Sequence, residues 1–406
     1  MLKRFFKPLS SLRLTVALLF IGLVLVFFGT LNQASEGLYS AQNRYFRSFF
    51  IWVGPAGAGW KVPVFPAGYL VGGLLLVNLV AAHTARFKLS WKKSGIFLTH
   101  IGVILLLVGQ LATDLLSTES SLGLMEGETK NYSEDFHANE LALIDTSDPK
   151  EDTVVAIPES SLKEKKDIQN SALPFTVRVK EYWPNALIVR PMAEGAIVPA
   201  TTAGELKGLG VFPQPEAKTM DERSLPAAVV ELLEGSKSLG TWLVSTRADL
   251  SDPIVVDGKT WKISFRFARY YKDFQMTLLK ATHEKYVGTD IPKNFASRVR
   301  VQMAGSPEAR ETVIYMNNPL RYGGYTFFQY QMGADEMARQ RMNGLGSSTF
   351  QVVKNPSWLT PYLACILVGL GLLVQFMIHL VGFIMKRSGK PHRTLSRPTP
   401  AGASAQ

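Results

Sequence analysis

Four apolar runs long enough, or nearly long enough, to cross a bilayer punctuate this chain, and its polar positions gather into one segment of about 240 residues. Three runs come early, roughly Leu14 to Leu31, Pro66 to Ala82 and Gly95 to Thr113, and the fourth comes late, Trp358 to Met385. A spanning helix needs about 20 mostly apolar residues, so the pattern predicts four membrane helices. Between the first two, Tyr45, Phe49 and Trp52 recur at helical spacing beside Phe46, Phe50 and Val53, with Arg44 and Arg47 between them. That spacing predicts an aromatic-rich amphipathic helix lying on the membrane surface or lidding an outward-facing cavity. Gly54 to Gly59, with Pro63 and Pro66, should end it before the second run.

The long polar segment has a different period. Trp261, Ile263, Phe265 and Phe267 alternate with Lys262, Ser264 and Arg266, the pattern of a half-buried strand. Similar runs occur at Leu141 to Ile144, Phe175 to Val179, Met276 to Leu279, Val299 to Met303, Thr312 to Met316 and Tyr325 to Tyr330. Turn residues separate them at Gly288-Thr289-Asp290, Asn317-Asn318-Pro319 and Gly323-Gly324. The expected fold class is therefore a membrane protein in which four transmembrane helices, three N-terminal and one C-terminal, flank a large extracytoplasmic antiparallel β-rich domain of sandwich type. Pro184 to Leu250 shows no periodicity that assigns it to either class.

The charge distribution orients this layout. Lys3, Arg4, Lys7 and Arg13 precede the first run; Arg86, Lys88, Lys92 and Lys93 lie between the second and third; Lys386, Arg387, Lys390, Arg393 and Arg397 follow the fourth. These flanks lack Asp and Glu, and short basic loops stay cytoplasmic. The expected layout is a cytoplasmic N-terminus at 1–13, a three-helix region at 14–113 with an outer loop at 32–65, an extracytoplasmic domain at 114–357, a fourth span at 358–385 and a disordered basic cytoplasmic tail at 386–406. The net charge is +11, and those flanks hold 13 Lys and Arg, so the rest of the chain sums to −2. The basic balance is thus an orientation signal rather than a sign of nucleic acid. The first run is too long for a cleaved signal peptide and is expected to stay in the chain. One cysteine, Cys365, falls in the fourth run, so the outer domain is expected to fold without disulfides.

The sequence has no Walker A loop, no GxGxxG opening a helix, no HExxH, no GxSxG and neither CxxC nor CxxCH. What remains is histidine in the apolar runs. His100 lies about five residues inside the third, His83 closes the second and His379 sits in the second half of the fourth, so that the three are expected to share one cytoplasmic-side layer. Intramembrane ionisable groups are functional candidates, and neutral imidazole is a common heme ligand. The alternative is a histidine that only hydrogen-bonds across helices. Gly102 and Gly109 permit close approach of a neighbouring helix or a flat macrocycle, and Asn78 and Gln110 must find partners. His137 and His283, in the polar segment, are expected to be ordinary domain residues.

Taken together the chain resembles the ResB (CcsB) family of cytochrome c biogenesis proteins. The resemblance rests on Ser11-Leu12-Arg13, Gly29-Thr30-Leu31-Asn32-Gln33, His100-Ile101-Gly102, the stretch Glu126 to Ser133, the stretch Thr289 to Phe295, Asn317-Asn318-Pro319-Leu320 and the stretch Gly324 to Gln329. It implies a role in system II, in which such a chain and a CcsA/ResC-type partner carry heme b, bound non-covalently, across the bacterial cytoplasmic membrane for attachment to apocytochrome c. Thiol-reducing proteins would serve the same pathway. It implies His100 as the heme ligand, with His83 as a rival and His379 weaker, and Arg86, Lys88, Lys92 and Lys93 near the propionates. The tryptophan-rich heme motif of the partner is absent here, so no catalytic residue is expected and the chain is not expected to attach heme alone. A heme-binding respiratory subunit, or an assembly scaffold with structural histidines, are the alternatives.

Overall fold

The computed structural model describes residues 8–54, 60–86, 90–149, 151–217, 223–248, 252–289, 292–333 and 342–388. Lys3, Arg4, Lys7, Lys88, Asp290, Lys390, Arg393, Arg397, the breaker residues 55–59 and nearly all of the expected tail lie outside the described residues. The chain forms two compact units, one of residues 1–26, 47–115 and 357–406, the other of residues 27–46 and 116–356.

Among the described residues, four helices are long and apolar enough to cross a membrane: α1 Leu12–Glu36, α3 Gly68–Arg86, α4 Ser94–Leu116 and α6 Thr360–Ser388. All run past the C-terminal ends of the apolar runs that predicted them. In α1 the extra turn is polar but still helical, because Asn32 Nδ2 donates to the Phe28 carbonyl and Ser35 Oγ donates to that of Asn32. Gly37, with φ 79°, ends it. The short helix α2, Leu38–Ala41, and a π-helical turn, Gln42–Phe46, follow.

The amphipathic helix expected across Tyr45 to Val53 does not form beyond that turn. Its second half is a strand, β1 Phe50–Val53, paired antiparallel with β2 Val62–Pro66. Pro63 and Pro66 explain the outcome, since they cannot sit in a helix interior but are tolerated in a two-stranded ribbon with no further neighbour. Phe-Ile-Trp-Val, and Val62, Val64 and Phe65 opposite it, are also residue types that favour strands.

Helices α4 and α6 pack antiparallel at backbone contact. A Cβ on Gly95 would lie 2.5 Å from both the Gln375 amide nitrogen and the Gly371 carbonyl oxygen. On Gly102 it would lie 2.9 Å from the Ala364 carbonyl oxygen, and on Gly109 2.4 Å from Thr360 Cγ2. These glycines recur every seven residues, so they form one stripe along α4, and small residues are what let helices approach in lipid. Of the two roles open for Gly102 and Gly109, the neighbouring helix fills this one.

The second unit is antiparallel throughout its named ladders. A ten-stranded sheet joins β3 Thr118–Met125, β4 Thr129–Asp145, β5 Thr153–Pro158, β12 Asp252–Val256, β13 Lys259–Lys285, β14 Pro292–Met303, β15 Ala309–Tyr315, β16 Leu320–Tyr322, β17 Tyr325–Gly333 and β18 Ser347–Lys354. A four-stranded sheet holds β6 Asp167–Ile168, β7 Thr176–Trp183, β10 Ala227–Glu234 and β11 Lys237–Ser245, with α5, Glu159–Lys163, beside it and a hairpin of β8 Ala186–Val189 and β9 Gly210–Pro213 covering its other face. This is a sandwich over part of its length: Val177, Val230 and Trp242 of the small sheet face Leu141, Ile157 and Phe265 of the large one across a shared core. Beyond it the large sheet coils, so that Leu278, Val301, Ile314, Phe327 and Phe350 form a second core among its own strands.

Strand β13 links these cores. Trp261, Ile263 and Phe265, at odd positions, enter the first; Phe274, Met276 and Leu278, at even positions, enter the second. Irregularities at Phe267/Arg269 and Tyr271/Met276 change the register and so the facing parity. Between the cores lies Lys272, 9% exposed, whose Nζ donates to Ser133 Oγ at 2.6 Å and the Tyr270 carbonyl at 3.1 Å. Burial lowers its pKa to about 8. The unassigned stretch 184–250 contains β10, whose residues Ala227 to Val230 are all buried. A strand covered on both faces has no alternation, which is why its pattern gave no period.

Candidate functional site

The imidazoles meet at one end of the helix pair α3 and α4. Residues 87–93 connect the two helices, so His83, near the end of α3, and His100, in the second turn of α4, fall at the same level. His100 Nδ1 lies 3.2 Å from His83 Nε2, and His83 Nδ1 lies 3.3 Å from the Leu79 carbonyl oxygen. The carbonyl can only accept, so His83 carries its proton on Nδ1 and offers the lone pair of Nε2. His100 must then donate from Nδ1, which leaves its own Nε2 with a lone pair. A ring nitrogen fixed as donor is the usual way a ligating histidine is oriented through the other nitrogen. Both rings are half-buried and meet edge to face, with centroids 4.6 Å apart.

His379 does not join this layer. Gly102 packs against Ala364 and Val368, so the level of His100 on α6 is near residue 368. His379 lies eleven residues further on, about 16 Å at 1.5 Å per residue. Its Nε2 is 2.9 Å from Gln375 Nε2, and Gln375 also accepts from the Ile96 amide. Of the basic residues expected near a charged ligand edge, Lys92 and Lys93 are exposed in a 3-10 turn, Trp91–Lys93, directly before α4. Arg86 ends α3 and its side chain, like all of Lys88, lies outside the described residues.

The other polar groups of the helices are accounted for separately. Asn78, buried, accepts from Thr15 Oγ1 at 2.6 Å and donates to the carbonyls of Leu9 and Ser11, which ties the start of α1 to α3. Gln110 is exposed on α4. At the far end of α3 and α4 Asp114 accepts from the Tyr69 hydroxyl and from Arg47 Nε, the latter at 2.8 Å. Periodicity could not reveal that cluster, since its members are 22 and 45 residues apart in sequence.

In the β-rich unit, His137 stacks on Tyr39 with centroids 4.1 Å apart, and burial lowers its pKa. His283 packs edge to face on Phe295 at 4.3 Å. No cluster of three or more metal-ligating side chains occurs among the described residues. The likeness to a known family falls on part of this unit. Residues 240–347 match the ResB-like family. The ResB-like segment runs from within β11 to the first residue of β18 and so includes the turn motifs at Asn317 and Gly323. It agrees with a ResB/CcsB assignment, and the ResB-like family is generally linked to cytochrome c biogenesis. The histidine pair lies outside the matched residues. No curated protein matches the chain.

Proposed function

We propose that this chain is the ResB-type half of a system II cytochrome c biogenesis pair. With a CcsA/ResC-type membrane protein it moves heme b across the cytoplasmic membrane and holds it, non-covalently, for attachment to apocytochrome c. One observation carries the reading: the hydrogen-bond chain from the Leu79 carbonyl through His83 to His100, which presents a neutral imidazole with a free Nε2 lone pair inside a spanning helix. That is the donor an iron porphyrin takes, and heme is here cargo rather than a resident group. Lys92 and Lys93, with Arg86 and Lys88, supply cations for its propionates. The basic flanks put both termini and the histidine end on the cytoplasmic side, and the β-rich unit outside, where it offers apocytochrome a binding surface. In this reading the chain serves as a component of a synthase complex rather than attaching heme alone.

The test is purification of the tagged chain with its membrane partners from cells making cytochrome c. Wild type should carry a heme spectrum and a CcsA-type protein, and His100→Ala should lose the heme while inserting at normal abundance. Added imidazole should restore part of the spectrum by filling the vacated axial position. Unchanged heme and unchanged holocytochrome in His100→Ala would overturn the assignment.

A further inference from the structure

The ribbon β1–β2 is built unlike the rest of the molecule. Residues 47–66 contain no Asp or Glu, and their ionisable side chains are Arg47, engaged with Asp114, and Lys61, exposed. Phe49, Trp60 and Val64 are each 61% exposed and Trp52 is 50% exposed, while Ile51 is buried. Beyond the irregularity that follows Ile51, Trp52 and Val53 point to opposite faces and are both exposed, so neither face of the ribbon is covered past its base. A two-stranded ribbon of this kind is marginal in water.

Its base, by contrast, is fixed. The Ala67 and Tyr69 amides in the first turn of α3 donate to the carbonyls of Phe49 and Ser48, at 3.0 and 3.1 Å, and Arg47 Nε meets Asp114 at the end of α4. The ribbon therefore sits at the level where one apolar helix begins and the next ends. That is the depth at which tryptophan, with an apolar body and one N–H donor, is favoured.

We infer that the β1–β2 ribbon is a lipid-binding element: Phe49, Trp52, Trp60 and Val64 enter the boundary between headgroups and acyl chains, and Lys61 meets anionic headgroups there. A fluid bilayer boundary covers both faces of a ribbon at once, which a single protein surface does not. The absence of acidic side chains complements an anionic surface.

The test uses the full chain with Cys365→Ser as background, spin-labelled at Val64→Cys or Trp52→Cys, in vesicles of phosphatidylcholine with phosphatidylglycerol. Both labels should collide more often with oxygen, which partitions into lipid, than with a water-soluble nickel chelate. A nickel-dominated response would place the ribbon in water, and low collision with both would mean a second copy or another protein covers it; either result overturns the inference. Lys61→Glu should lower the oxygen-to-nickel ratio in the phosphatidylglycerol vesicles and leave it unchanged in pure phosphatidylcholine. An equal effect in both would overturn the headgroup role.

Discussion

Gly102→Ala adds one methyl at the contact of α4 with α6, and its consequence follows from three distances. The new Cβ would lie 2.6 Å from Val368 Cγ2, 2.9 Å from the Ala364 carbonyl oxygen and 3.0 Å from the Val368 amide nitrogen. A rotamer change can relieve the first clash, but the other two are with backbone and yield only if the helices separate. Carbon contacts relax at 3.5–4.0 Å, so the gap must open by about 0.5–1 Å. Overpacking of this sort costs about 1–3 kcal/mol, which lowers the folded-to-unfolded ratio by roughly 5- to 150-fold. Gly73→Ala, whose Cβ meets nothing within 4 Å, is the control. Thermal inactivation of the detergent-purified chain, followed by size-exclusion chromatography, should place Gly102→Ala below wild type and Gly73→Ala level with it. Gly109→Ala, against Thr360, should destabilise similarly but disturb heme retention less, because it lies nine residues from His100. Identical melting of Gly102→Ala and Gly73→Ala would show that α4 and α6 do not touch at their backbones.

Three further outcomes follow from other contacts. His83→Leu removes the acceptor for His100 Nδ1 and should weaken heme retention about 10- to 100-fold with a shifted spectrum, milder than His100→Ala; His83→Gln, which restores an acceptor oxygen, should recover it, and a wild-type spectrum in His83→Leu would refute the positioning role. Lys272, with its pKa pulled from 10.5 to about 8 by burial, releases its proton earlier in the folded than in the unfolded chain. Its contribution to stability therefore rises between about pH 8 and 10.5; Lys272→Met should flatten that rise and raise the melting temperature at pH 7, and equal pH profiles would refute it. A reporter active only outside the cytoplasm should work when fused after Ser120 and fail after Lys390, and the reverse result would invert the proposed topology.

How much of this was legible in the sequence depended on whether one period governed a segment. The four long apolar helices were legible because apolar composition alone marks them, although their ends were not: the mostly polar Asn32 to Glu36 is still helical, with side-chain bonds from Asn32 and Ser35 to the preceding turn. The first half of β13 showed its alternation because its second face, buried at Ser264 and Arg266, carries polar side chains, whereas β10, apolar on both faces from Ala227 to Val230, did not. The aromatic loop had helical spacing over Tyr45 to Val53, yet two prolines in the facing segment decided for a ribbon. His83 and His100 were placed near one another by the short basic connection. Their hydrogen-bond order, and with it the proposed roles of positioner and donor, needed the Leu79 carbonyl and three-dimensional distances.

The separation of His379 from the pair, by contrast, could have been drawn from a helical wheel. Two residues on a helix are about 200° apart, so His100 and Gly102 point to nearly opposite sides of α4. Gly102 faces α6, as the whole glycine stripe does, and His100 therefore faces α3, where His83 meets it. His379, carried by α6 and about 16 Å away along the axis, has neither the direction nor the level to act with His100. Under the proposed heme-binding role, a second axial donor would then come from α3 or from outside this chain. His379→Ala should leave the heme spectrum and holocytochrome yield at wild-type values, whereas His100→Ala removes both. Loss of heme in His379→Ala at normal abundance would mean that α6 turns its other face to the site, and would overturn the packing that the glycine stripe defines.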